Sequence, residues 1–582
     1  MILAALKEYY DRKSLEPESG IAPLGWEWKN LPFLFVLSKT GKLLYIEDTR
    51  EDVKVDKKNI KQVKSYLVPQ AVKRSSGTAA NFLWDNAEYV TGYSENAKER
   101  AALRHQAFLE RLEFAKKLPT VAPVLDFLRK LDLQELEKFP EWKELKKSNT
   151  LLSFKFAGHL EPVFREADVI ALVEQMAAGE VPETAERCLV TGEKALIAES
   201  HPLIKGVAGC YAPGGSNIIS FNLRSAESYG WKKGAIAPVG EKNAFAYTTA
   251  LNTLLARGSS QKILLGNATV VFWAAKQDPL EQNFGFFTGF VRDNPDRLVN
   301  AVSSLLESVH TGSFVRSRKT NRFYVLGLTP NSARIAVSFW HCGTVADIEQ
   351  CFCDYFEETA IVNPPYELEQ LPLQILLNSI AAQGDPKNIP GNLAVDIMYS
   401  ILSGTPYPAA LLAEVLLRIR VEHAVSYPHA KLLKGYLNRL LRFNNSTKER
   451  NLEMSLDKEN RNIGYCLGRF FAVCEKTQQE VLPNIKTTVN DRYIGSMSTR
   501  PSSVFATVFE LNQRHLAKLE KPRRRTCFEQ LIGEIMDKIQ DVPATLSLLD
   551  QGRFGVGYYH QKQEFYKKNT EDETEQKGNK NV

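Results

Sequence analysis

"PAALLAEVLLRIRVEHA", residues 408–424, decides the class of the second half of this chain. Leu411, Leu412, Val415, Leu416 and Ile419 recur at the three-and-four spacing that lines one face of an α-helix, and Glu414, Arg418 and Glu422 fall elsewhere. The run is predicted to be an amphipathic helix burying its leucine stripe. The same periodicity continues, between Pro and Gly breaks, from about residue 366 to about 566, and β-rich runs nearly vanish there.

Before Pro364-Pro365 the pattern differs. The chain opens with a short amphipathic helix and a Pro/Gly loop. "FLFVLSKTGKLLYIED" (33–48) sets two β-rich runs around Ser38-Lys39-Thr40-Gly41 and predicts a hairpin. Residues 94–147 read as helical, with Leu103, Ala107 and Leu112 on the apolar face. Glycine-rich 206–240 reads as strands with close-packed connections. Residues 244–257 read as a helix, and "ATVVFWAA" (268–275) as a buried strand. "RFYVLGLTPNSARIAVSFW" (322–340) reads as a strand pair turned at Thr329-Pro330-Asn331, and "TVADIEQCFCDYFEETA" (344–360) as an amphipathic helix. The expected fold is α+β: a mixed α/β N-terminal region over 1–365, then an all-α helical bundle over 366–566. The polar stretch 567–582 is expected to be disordered.

Of the 582 residues, 44% are apolar and 24% charged, as in ordinary globular proteins that build a core without staples. Eight cysteines show no disulfide framework. The start lacks secretory-signal features, and no apolar run approaches the roughly 18 residues that span a bilayer. The expectation is a soluble, reduced, cytoplasmic protein without membrane contact.

Enzyme signatures are missing: there is no Walker A loop, G-x-S-x-G elbow, H-E-x-x-H or C-x-x-C pair. "GRFGVG" (552–557) has its glycines in the wrong order for a dinucleotide loop. His341, Cys342, Cys351 and Cys353 could supply zinc ligands, but Cys351 and Cys353 fall on different faces of a helix and read as small core residues. His423 and His429 read as surface or capping residues. No catalytic residue, metal site or cofactor is assigned.

Charge is more informative. The net charge is +6. Residues 486–525 hold nine Lys/Arg (Lys486, Arg492, Arg500, Arg514, Lys518, Lys521, Arg523, Arg524 and Arg525) against Asp491, Glu510 and Glu520, so this segment alone carries +6. Such an excess is the footprint of a phosphate-backbone track. "FVRSRKTNRFYV" (314–325) adds Arg316, Arg318, Lys319 and Arg322. "HAKLLKGYLNRLLRF" (429–443) sets Lys431, Lys434, Asn438 and Arg442 about one turn apart, predicting a one-sided basic stripe. Tyr436, Phe443 and Tyr493 could stack on bases, though aromatics at helical spacing are more often core.

"GGSNIISFNLRSAESYGWKKGAIAPVGEKNAFAYTTALNTLL" (214–255) resembles the large subunit of the subtype I-C CRISPR effector complex (Cascade), the Csd-one family. Val325–Trp340, "NIPGNLAVDIMYSILSGTPYPAALLAEVLLRIR" (388–420), "NIGYCLGRFFAVCEKTQQ" (462–479) and "GRFGVGYYHQKQEFY" (552–566) carry the same likeness, which runs from "MILAALKEYYDR" to about residue 566. The resemblance implies a prokaryotic antiviral ribonucleoprotein and no enzymatic activity. The subunit would hold the guide crRNA at its 5′ handle, read the protospacer-adjacent motif (PAM) on target double-stranded DNA, help open the R-loop and hold the displaced strand. It would work with the backbone and handle-processing subunits and recruit a separate helicase-nuclease. It further implies a small subunit translated internally from the same gene; Met454 is the candidate start, leaving residues 454–582. With PAM reading placed in the N-terminal part, "VKRSSGTAANFLWDN" (72–86) supplies suitable groups. Lys73 and Arg74 could neutralise phosphates, Ser75 and Ser76 could bend against a backbone, and Asn81 and Asn86 could face a base edge. Trp84 reads mainly as core. Gly214-Gly215-Ser216-Asn217, with Asn222 and Arg224, forms a second surface, where the glycines serve either nucleic-acid approach or tight packing. The competing readings are a stand-alone nuclease or hydrolase and a passive RNA-binding scaffold.

Overall fold

The computed structural model describes every residue except 17, 56–57, 73, 75–77, 180–184, 211, 213, 222–223, 289–318, 333, 445–450 and 567–582. Lys73, Ser75, Ser76, Asn222, Arg316, Arg318 and the tail therefore lie outside the described residues. The fold is α+β, and the chain forms two compact units, residues 3–202 with 220–250 and residues 203–219 with 251 onwards.

The first unit opens with α1 (Ile2–Ser14), β1 (Trp26–Asn30), β2 (Phe33–Leu37), β3 (Leu43–Asp48), β4 (Arg50–Val55), β5 (Lys58–Val63), β6 (Ser65–Pro69) and β7 (Trp84–Asn86). Short helices follow: α2 (Ala87–Thr91), α3 (Lys98–Glu113), α4 (Val121–Arg129), α5 (Leu133–Leu136) and α6 (Trp142–Ser148). Then come β8 (Leu151–Phe156), α7 (Ala167–Ala178), a small hairpin of β9 (Glu186–Arg187) and β10 (Lys194–Ala195), and α8 (Glu241–Leu254), whose last turn, from Leu251, belongs to the second unit. The expected β2–β3 hairpin is present, and the sheet runs β3-β2-β8-β7, with β2 parallel to β8. Every residue of β2 is buried, because Phe35 meets Phe127 of α4 edge-on and also packs on Phe154. Among the described residues β1 pairs only with β6, and β4 with β5 forms a separate two-stranded ribbon. Leu103 stands exposed on α3, while Phe108 and Leu112 carry the burial.

The second unit holds a meander of β11 (Lys262–Leu265), β12 (Ala268–Ala274), β13 (Arg322–Asn331) and β14 (Arg334–Thr344), with α9 (Leu280–Thr288) between β12 and β13. β12 is buried throughout. The β13–β14 turn comes later than Thr329-Pro330-Asn331: Pro330 pairs with Ile335 and Asn331 with Arg334. Beyond Thr344 every helix or strand among the described residues is a helix. They are α10 (Val345–Thr359), α11 (Leu373–Ile380), α12 (Leu393–Ser403), α13 (Ala409–Glu422), α14 (Tyr427–Phe443), α15 (Ile463–Val481), α16 (Val489–Thr499), α17 (Phe505–Ala517), α18 (Pro522–Met536) and α19 (Leu548–Glu564). Leu411, Leu412, Val415, Leu416 and Ile419 of α13 are all buried, as their spacing predicts. The described strands end at Thr344, twenty residues before Pro364-Pro365, and residues from Leu265 in β11 to Tyr559 in α19 form one hydrophobic cluster.

One reading of this region is corrected here. The described residues of 206–240 contain isolated bridges and two 3-10 turns, Arg224–Glu227 and Lys233–Ile236, rather than strands. The glycines serve close packing instead: a Cβ on Gly215 would lie 2.5 Å from the Ile204 carbonyl oxygen. "GRFGVG" lies inside α19, and its role is helix contact. A Cβ on Gly557 would sit 2.2 Å from the Tyr465 carbonyl oxygen, and Gly464 and Gly468 of α15 approach the α19 backbone equally closely. Among the described residues no helix is long and apolar enough to cross a membrane.

Candidate nucleic-acid interface

The loop between β6 and β7 is built on a buried carboxylate. Trp84 is buried and donates its indole N–H to the Pro69 carbonyl at 2.8 Å, closing the loop base as a core residue. Next to it, Asp85 is fully buried. Its Oδ2 accepts the Asn81 backbone N–H at 2.9 Å and a guanidinium N–H of Arg74, and its Oδ1 accepts the Asn86 N–H at 2.9 Å. Arg74 also donates to the Ala79 carbonyl at 2.6 Å and lies over the Tyr89 ring, 4.1 Å from its centroid. Arg104 approaches the same ring at 5.2 Å and pairs with Glu88.

This geometry reassigns three residues. Asn81 is only 4% exposed, and its Oδ1 accepts the Val72 N–H at 3.0 Å, so its amide shapes the loop instead of facing a base. Asn86 caps α2 by accepting the Tyr89 N–H. Arg74 is neutralised by Asp85 and stacked on Tyr89, so its charge is largely committed within the protein. Asp85, Tyr89 and Arg104 were missed at the sequence level. The only local cue was an acid four positions beyond Asn81, and its partner Arg74 lies eleven positions back.

The predicted stripe on α14 is overturned. Lys431, Lys434 and Asn438 are buried, at 1%, 3% and 6% exposure. The ammonium of Lys431 donates to the Thr359 carbonyl at 3.2 Å, and that of Lys434 donates to the Glu358 carbonyl at 3.1 Å. Both cations cap the C-terminus of α10, where unsatisfied carbonyls gather negative partial charge. Burial pushes Lys431 down to about 7 and Lys434 to about 8. Arg439, fully buried, donates its Nε to both Glu358 oxygens at 2.8 and 2.7 Å. Arg442 reaches Asp354 at 2.5 Å and Glu358 at 2.8 Å. Lys431 and Lys434 thus belong to a buried polar seam against α10, Asn438 is buried against the Leu452 backbone, and Arg442 is exposed but paired with two carboxylates. His429 is likewise buried against the Ser379 carbonyl at 3.0 Å, whereas His423 ends α13 in the left-handed conformation, φ 52°.

The segment 486–525 retains an exposed basic surface. Lys486, Arg492, Arg500, Arg514, Lys518, Lys521, Arg523 and Arg525 are exposed. Arg524 is the exception: it pairs with Glu480 at 2.7 and 3.0 Å and lies over Phe528 at 4.6 Å, pinning the start of α18 to the end of α15. Arg525 pairs with Glu529 at 2.8 Å and Arg514 with Glu510 at 3.8 Å; both pairs are largely exposed and therefore weakly held. Elsewhere, Arg224, Lys319 and Arg322 are exposed, and Asn217 is half-buried with its carbonyl accepting the Ile335 N–H at 3.0 Å. The soft side chains near β14 and α10 diverge: Cys342 is exposed, Cys351 bonds the Leu402 carbonyl and Cys353 is buried. Among the described residues no three His, Cys, Asp or Glu side chains are placed to hold a metal.

The CRISPR-associated protein (Cas_Csd1) family matches residues 6–566, nearly the whole chain. Among curated proteins no relative matches. The chain belongs to the Cas_Csd1 family of CRISPR-associated proteins.

Proposed function

We propose that this Cas_Csd1 chain is the non-enzymatic large subunit of a type I-C CRISPR surveillance ribonucleoprotein. In this role it holds the guide crRNA at its 5′ handle, reads the PAM on duplex DNA, helps open the R-loop, steadies the displaced strand and recruits the helicase-nuclease. The family match across residues 6–566 carries this reading. Delegating sequence recognition to base pairing leaves the protein backbone contacts and one short duplex motif to read. The exposed cations of α16–α18 suit contact with a phosphate backbone, because they face solvent and carry charge not committed to buried partners. Arg74 suits a positioning role, in which Asp85 and Tyr89 hold its guanidinium and it holds the Ala79 carbonyl.

Residues 454–566 also suit a separately made small subunit. α15 to α19 pack mainly through the close α15–α19 contact, and Met454 precedes them, its carbonyl accepting the Val362 N–H at 2.8 Å. A decisive experiment is the complex purified from its own operon, presented with matched duplexes bearing or lacking the PAM. Intact mass should show guide RNA and a product beginning near Met454. Preference for the PAM-bearing duplex is expected; equal binding would leave only a passive scaffold, and cleavage by the chain alone with Mg²⁺ would establish a nuclease instead.

A further inference from the structure

Between the two 3-10 turns of the first unit runs Ser228-Tyr229-Gly230-Trp231-Lys232. Tyr229 is 89% exposed and Trp231 53% exposed, in a chain that buries most of its large aromatics. The connection is anchored at both ends. The Gly230 N–H donates to the Glu227 carbonyl at 2.9 Å and the Ser228 hydroxyl to the Ser225 carbonyl at 2.8 Å. On the far side Gly234 packs so tightly that a Cβ there would lie 2.0 Å from the Ala198 carbonyl oxygen, and Lys233 pairs with Glu199 at 2.7 Å. Gly230, at φ 78°, turns the chain between the rings and has nothing within 4 Å of a built Cβ. The backbone is therefore fixed while both rings face open solvent.

We propose that Tyr229 and Trp231 form a stacking platform for unpaired nucleobases, with Arg224, Lys232 and Lys233 holding the adjoining phosphates. Residues two positions apart place their Cα atoms no more than about 7 Å apart, a span that one or two successive bases can cover. Arg224 and Lys232 are exposed and engage no acidic side chain among the described residues. Lys233 pairs with Glu199 through two exposed side chains, a contact that a phosphate can replace at little cost. Aromatic faces flanked by three cations, Arg224, Lys232 and Lys233, against the two acids Glu227 and Glu199, fit a single strand better than a protein surface. The rigid anchoring lowers the ordering cost of binding.

The platform rests on the nucleic-acid role proposed above, and the test separates the two. Binding of the full chain to a labelled oligothymidine, an oligouridine of matched length and a duplex is measured for wild type, Y229A/W231A and Y229F/W231F. Single-strand affinity should fall about tenfold or more in the alanine pair and stay near wild type in the phenylalanine pair, with duplex affinity unchanged. Whether the loss is larger on the DNA or the RNA oligomer identifies the strand. If wild type binds the oligomers and the alanine pair binds them equally well, the platform is wrong and the broader role stands. If the alanine pair keeps its oligomer affinity but no longer co-purifies with its partner subunits, the surface is a protein contact and the platform is again wrong. If wild type binds none of the three nucleic acids, the broader role fails and the platform with it.

Discussion

Gly468→Ala adds one methyl group at the tightest helix crossing of the second unit. A Cβ there would lie 2.1 Å from the Phe554 carbonyl oxygen and 2.8 Å from the Tyr558 backbone nitrogen. Both are backbone atoms, so no rotamer change relieves the clash. Ordinary carbon–oxygen contact needs at least about 3.4 Å, so α15 and α19 must part by more than about 1 Å. That movement loosens Phe471 against Phe554 and Tyr558, whose ring centroids lie 5.9 and 6.2 Å away. Overpacking and the gaps it opens cost roughly 3–5 kcal/mol together, and the better helix propensity of alanine returns about 1 kcal/mol. The net expectation is a loss of roughly 2–4 kcal/mol. Gly495→Ala in α16 is the internal control. Nothing lies within 4 Å of its built Cβ, so the propensity gain stands alone and it should stabilise by about 0.5–1 kcal/mol. Urea unfolding by far-ultraviolet circular dichroism gives the totals, and amide hydrogen exchange assigns them to α15 and α19. If Gly468→Ala unfolds within about 0.5 kcal/mol of wild type, or Gly495→Ala loses as much as it does, the backbone-contact account is wrong.

Lys431→Met tests the buried cap on α10. An unfolded lysine titrates near 10.5 and this one at about 7, so the unfolded chain binds more protons between those values. Stability from this site is present above 10.5 and lost as pH falls toward 7, at about 1 kcal/mol per pH unit near pH 8, and the methionine variant should show a flatter pH profile of the unfolding midpoint. Glu358→Gln leaves the fully buried Arg439 without its counter-charge and should cost about 3–5 kcal/mol in the same unfolding assay, far more than a surface pair would. Reversing Arg523 and Arg525 to Glu should weaken R-loop retention by the assembled complex and lower the slope of log affinity against log salt by roughly 1 per lost phosphate contact; an unchanged slope would place the track elsewhere.

Local patterning was readable wherever neighbours in sequence are also neighbours in space. The α13 stripe, the β2–β3 hairpin and the burial of β12 follow from spacing alone. The exposed charge of 486–525 was readable for a similar reason: so many cations in one run cannot all find buried carboxylates, and only Arg524 is half-buried, against Glu480. Asn81 and Arg74 were not readable, because their geometry depends on Asp85, and local spacing does not tell a buried carboxylate from a surface one.

By itself, then, the sequence determined the α+β class, the periodic helices after Pro365, the long ordered motifs that mark the family, and where the net charge lies. Tertiary structure alone decided which of two similar-looking basic stretches is free to meet a phosphate. On α14 the cations sit opposite the carbonyl end of α10, more than seventy residues earlier in the chain, and that helix end satisfies them in the interior. On α16–α18 most cations find only solvent or a weakly held neighbour. Side-chain spacing sets which face of a helix a lysine occupies; what covers that face is set by a distant segment that the spacing does not encode.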